Sequence, residues 1–151
     1  MMRSMFSSIV VGTDGSETAK EAVRQATELP KSLSAALYVV SAYEPVPEGR
    51  LRQERQEAPH DMEWSINPRE DVESTLNAAA EVIRETGVTV ETFAREGDAA
   101  DAILDVAEET GADLIVVGNK GMTGAKRFLL GSVPNKVSHH APCSVLITRT
   151  T

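Results

Sequence analysis

The sequence predicts an α/β fold, a single domain in which a parallel β-sheet carries helices on both faces. Three observations lead there. Five short β-branched runs are spread along the chain, amphipathic helical patterns fill the intervals, and 151 residues suit one compact domain with a real core. Alternation of strand and helix signals a parallel sheet, because a parallel neighbour is reached only by a crossover connection. No composition shift or internal repeat marks a second domain, so residues 1–151 are read as one unit.

The first strand, residues 8–12 (SIVVG), is apolar on successive residues, as a strand buried on both faces must be. Residues 16–29 then place Ala19, Ala22, Val23, Ala26 and Leu29 on one helical stripe, with Glu17, Lys20, Glu21, Arg24 and Glu28 outside it. A second continuous strand follows at 36–42 (ALYVVSA). Residues 44–67 break the pattern with four prolines, counting the boundary at Pro68, and with Arg50, Arg52, Glu54, Arg55 and Glu57 interleaved. This stretch exceeds an ordinary connector and reads as a lid-like insertion or an idle surface loop. A helix over 68–86 opens with Asn67 as cap, Pro68 at the first helical position and Glu70 placed to reach back. Its stripe is Val72, Leu76, Ala79, Ala80 and Ile83, and Gly87 ends it. The third strand, 88–94 (VTVETFA), alternates apolar and polar residues and so has one wet face. Residues 98–110 form a helix capped by Asp98, with Ala102, Ile103, Val106 and Ala107 inward and Gly111 as stop. Strand 113–118 (DLIVVG), a helix from about 132 to 140 closed by Pro142, and strand 144–149 (SVLITR) complete the series.

Charge and composition narrow the function. The formal net charge is −8, whereas nucleic-acid and anionic-membrane binders carry an excess of Lys and Arg, so neither partner is expected. Yet residues 114–151 contain no Asp or Glu and five cations, Lys120, Lys126, Arg127, Lys136 and Arg149. One cysteine, Cys143, excludes an internal disulfide. The longest apolar run, 35–40, is far short of a membrane span, and the N-terminal residues lack a signal-peptide pattern. A soluble, cytoplasmic protein is the expectation.

In an open parallel sheet, ligands bind beyond the carboxyl ends of the strands, where strand order reverses. Two loops there stand out. Residues 12–16 (GTDGS) do not make the dinucleotide pattern GxGxxG, and Asp14 would repel a pyrophosphate. Asp14 could accept hydrogen bonds from an exocyclic amine or a ribose hydroxyl; alternatively, Asp14 or Ser16 simply caps the first helix. Residues 118–132 (GNKGMTGAKRFLLGS) hold four glycines and three cations and end at a helix start. Backbone N–H groups of such a loop form an anion-binding concavity, and the helix dipole adds to it. Ser132 can cap that helix and donate to a phosphate oxygen, whereas Pro134 removes one N–H from the first turn. No Walker A pattern occurs.

At these residues the chain resembles the ATP-binding branch of the universal stress protein family. That branch carries G-x2-G-x9-G-[ST], matched here by Gly118, Gly121, Gly131 and Ser132. VVGTDGS at 10–16, the Gly97 loop and PCSVLITR at 142–149 fit the same family, so the likeness covers essentially the whole chain. The resemblance implies a five-stranded doubly wound sheet of order 3-2-1-4-5, which sets the two loops across one cleft. It implies that Asp14 and the backbone at Gly12 and Thr13 meet adenine and ribose, with Ala42 against the base. Gly118, Asn119 and Gly121 would line ribose and phosphate, with Val117 beside them, while Gly131, Ser132 and Val133 would hold the phosphates. It also implies a homodimer through the last strand, which alone would be an unpaired edge. Ala42 is smaller than the valine common in the family, and Pro134 replaces a hydrogen-bonding threonine. Cyclic AMP is therefore carried as the alternative ligand to ATP.

Rival readings are weaker. His139 and His140 are adjacent on a helix and point to different faces, so they cannot share one metal. The carboxylate-free tail offers no general base, so any ATP hydrolysis is expected to be slow, and Mg2+ is expected only as a companion of bound triphosphate. A hydride-transfer enzyme lacks its fingerprint here. An interaction module that never binds nucleotide remains the other alternative.

Overall fold

A computed structural model describes residues 6–14, 17–33, 35–44, 68–119 and 131–150. Along these the elements run β1 (Ser8–Gly12), α1 (Glu17–Leu33), β2 (Ala36–Tyr43), α2 (Pro68–Glu85), β3 (Val90–Glu96), α3 (Ala99–Thr110), β4 (Leu114–Gly118), α4 (Ser132–His140) and β5 (Ser144–Thr148). The five strands are parallel, in the order β3-β2-β1-β4-β5. This is the doubly wound sheet that the resemblance implied.

Strand alternation divides the core into two layers. Ile9 and Val11 of β1, Leu37 and Val39 of β2, and Leu114 and Val116 of β4 face one way, onto Val23 and Ala26 of α1 and Leu76, Ala80 and Ile83 of α2. Val10, Val40, Ile115 and Val117 face the other way, onto Ile103 and Val106 of α3 and Val137 of α4. Nearly all are below 5% exposed, so the three inner strands are apolar on successive residues because both faces are covered. The buried Thr27 hydroxyl is satisfied by donating to the Val23 carbonyl at 2.7 Å.

Cap chemistry fixes α3. The Asp98 carboxylate accepts from the Asp101 N–H at 3.1 Å, and Gly111 takes the left-handed conformation, φ 63°, that ends the helix. Two elements depart from the sequence expectation by more than one residue. Helix α1 does not stop at Leu29 but continues past Pro30 to Leu33. Strand β3 runs from Val90 to Glu96 rather than 88–94, because its partner sets its length: Leu37 pairs with Val90 and Tyr43 with Glu96. Asn67 and nearly all of the 44–67 insertion lie outside the described residues. No helix among the described residues is long and apolar enough to cross a membrane.

Candidate functional site

β1 and β4 lie side by side, and the chain leaves β1 for α1 on one face but reaches β4 from α3 on the other. Strand order therefore reverses between them, and a cleft of about 100 Å3 opens at their carboxyl ends. Gly12, Thr13 and Asp14 form one side as the chain leaves β1. Val40 and Ala42 of β2 and Val117 and Gly118 of β4 supply the strand ends. The Thr13 N–H donates to the Val40 carbonyl at 2.9 Å, which prolongs the sheet pairing to the rim.

Three helices begin at this cleft. Thr18, Ala19 and Ala22 come from the start of α1, Ala99 and Ile103 from the start of α3, and Val133 and Pro134 from the first turn of α4. Each first turn turns the positive end of a helix dipole towards the same space. Most of the lining is apolar, and among the lining residues Asp14, exposed at the mouth, is the one carboxylate. The arrangement suits a flat, largely apolar ring with hydrogen-bond donors at its edge, joined to an anion.

Several of the sequence-predicted residues stand beside the cleft rather than in its wall. The Asn119 carboxamide oxygen accepts from both the N–H and the hydroxyl of Thr150, each at 3.0 Å. Its backbone N–H donates to the Thr148 carbonyl, and its own carbonyl accepts from the Gly131 N–H at 3.0 Å. Asn119 thus ties the two ends of the glycine-rich loop together and fastens them to the end of β5. Ser132 does not cap α4. Gly131 is the cap residue, its carbonyl accepting the Asn135 N–H at 3.1 Å, and no side chain among the described residues caps the helix. Ser132 is the first helical residue and is exposed, so its hydroxyl is not committed to capping. Gly121 and the three loop cations Lys120, Lys126 and Arg127 lie outside the described residues. Of the other tail cations, Lys136 bridges Asp98 at 3.3 Å and Asp101 at 2.9 Å, which joins α4 to the start of α3.

Sequence reasoning missed Thr18, Ala99 and Ile103 as site residues and read Ala19 and Ala22 as core alone. The signal was partial, because every helix that follows a strand starts at the carboxyl edge of the sheet, but strand order decides which of them borders the switch point, and α2 does not line the cleft. Among the described residues no group of three His, Cys, Asp or Glu side chains could hold a metal ion.

Fold and cleft together define a doubly wound α/β protein with a cleft at its switch point. Residues 5–149 match the model of the universal stress protein family, and the chain belongs to that family. Universal stress protein MJ0531 of Methanocaldococcus jannaschii is 32% identical over 149 residues, covering 97% of this chain and 84% of that protein. A universal stress protein determined in complex with cAMP superposes with TM-score 0.70 at 29% identity, over 97% of this chain and 98% of its own. The universal stress protein from Archaeoglobus fulgidus in complex with dAMP gives TM-score 0.64 at 27% identity, over 95% and 98% of the two chains.

Proposed function

We propose that this chain is a cytoplasmic, dimeric adenine-nucleotide sensor that binds ATP in the switch-point cleft. The observation that carries this reading is the convergence of three helix first turns on an apolar slot with the Asp14 carboxylate at its mouth. The base lies in the slot, Asp14 accepts from its amine or from a ribose hydroxyl, and the phosphates extend towards Ser132 at the start of α4. Two structurally similar members of the family, determined with cAMP and dAMP, support an adenine nucleotide as the ligand class. Exposure of Leu146 (40%) and Ile147 (37%) on the edge strand β5 supports the dimer.

One observation favours cyclic AMP as the second reading. Pro134, buried in the first turn of α4, has no N–H to give, so this helix start presents fewer donors to a polyphosphate. The site binds rather than catalyses. Asp14 is the one carboxylate on the described lining and is occupied by the nucleoside, so turnover of ATP stays below about 1 s⁻¹. Mg2+ enters only with a triphosphate.

Calorimetric titration with ATP, ADP, cyclic AMP and NAD tests the reading. Binding of ATP or cyclic AMP is expected, with Asp14→Ala weakening it about tenfold or more, the usual worth of a hydrogen bond to a charged group. Absence of binding by every ligand at millimolar concentration leaves the nucleotide-independent interaction module.

A further inference from the structure

We infer that Ile103 is the wall on which the base of the nucleotide lies, and that position 12 is glycine because Ile103 fills the space beside it. The inference rests on the adenine-nucleotide reading of the cleft. A Cβ built on Gly12 would stand 2.5 Å from Cδ1 of Ile103, closer than carbon atoms approach, and 3.1 Å from its Cγ1, a tight contact. The backbone does not require glycine there, because the positive-φ glycines among the described residues are Gly87, Gly97 and Gly111. The close approach of Ile103 is therefore the reason.

Ile103 is 4% exposed and packs with Val10, Val106 and Val117 in the layer beneath, yet it also lines the cleft. Its small open surface consequently faces the ligand space. The bare Cα of Gly12 and the δ-methyl of Ile103 form one continuous apolar surface at the end of β1. A planar ring can lie against such a surface, whereas a sugar or phosphate gains little from it. Positions 12 and 103 are also coupled. Ile103 is packed among the buried Val10, Val106 and Val117, so a methyl group added at position 12 is expected to turn the end of the isoleucine side chain into the cleft. The fold survives, because the atoms that must yield are the far end of a flexible side chain.

Two measurements on the full chain test this. With δ1-methyl-labelled isoleucine, the Ile103 signal, assigned by its loss in Ile103→Val, is expected to move upfield through the ring current of the base. ATP or cyclic AMP should produce the shift, and ribose 5-phosphate should not. In calorimetry, Gly12→Ala is expected to weaken ATP binding at least tenfold. Ile103→Val alone should weaken it by about twofold or less, because only 4% of Ile103 is open to the ligand. The double variant should recover to within about fourfold of the parent. A parent that binds ATP while the Ile103 methyl signal stays still overturns this inference and leaves the proposed function standing. So does a folded double variant as weak as Gly12→Ala. A parent that binds no nucleotide overturns both.

Discussion

At the start of α3 the Asp98 carboxylate holds the Asp101 N–H and meets the Lys136 ammonium from α4. The backbone hydrogen bond, aided by Lys136, keeps its carboxyl below the usual aspartate value. A group whose pKa is depressed on folding stabilises above its unfolded pKa and loses that contribution as pH falls through the folded value. Asp98→Ala should thus cost about 1 kcal/mol at pH 7, as loss of an N-cap does. The gap to the parent should close on acidification below about pH 4, the unfolded aspartate range, in urea titrations at each pH. This cap was legible in the sequence because an N-cap is settled within four residues. Ser132 was not, since whether it caps depends on where Gly131 is held, and that hold comes from Asn119, twelve positions earlier. The structural part of Asn119 was not legible either, because its bond to Thr150 joins two segments that meet only across the sheet.

Elements were legible where pattern alone decides them and less so where a partner does. β1, β2 and β4 announced their two-sided burial through unbroken apolar runs, whereas the alternation of β3 spoke only of a wet face and not of its place at the sheet's edge. The end of α1 was misplaced because the apolar stripe gives out at Leu29, whereas the helix runs on through the buried Pro30 to Leu33. β5 pairs with β4 along one side only, and its pattern leaves Leu146 and Ile147 in the open. An apolar strand edge of this kind recruits a second strand unless something blocks it. If β5 forms the dimer seam, Ile147→Lys places a charge opposite its symmetry mate, and the variant should sediment as a monomer where the parent sediments as a dimer. Nucleotide affinity should change little, because among the described residues the cleft walls come from β1, β2, β4 and the helices, not from β5.

At the scale of the whole molecule, the cleft exists only when the chain is folded. Its walls draw on β1, α1, β2, α3, β4 and α4, from Gly12 to Pro134, and no stretch of a few residues holds more than one side of it. The family pattern pointed to the two loops of the cleft, but the third helix start, α3, became part of it only through the parallel order that sets it over β1. Such a site cannot persist in the unfolded chain, so a bound nucleotide must stabilise the native state by mass action. At one hundred times Kd the gain is about 2.7 kcal/mol. For a domain of this size that raises Tm by roughly 5–10 °C in scanning calorimetry. The ligand with the larger rise at equal multiples of its own Kd would betray additional binding sites, whereas equal rises fit one cleft serving both. ATP and cyclic AMP are therefore expected to raise Tm alike when scaled to Kd, and to differ at equal concentration in the order of their affinities. A nucleotide that binds by titration but leaves Tm unmoved would bind folded and unfolded chain equally, which a cleft assembled from six elements does not allow.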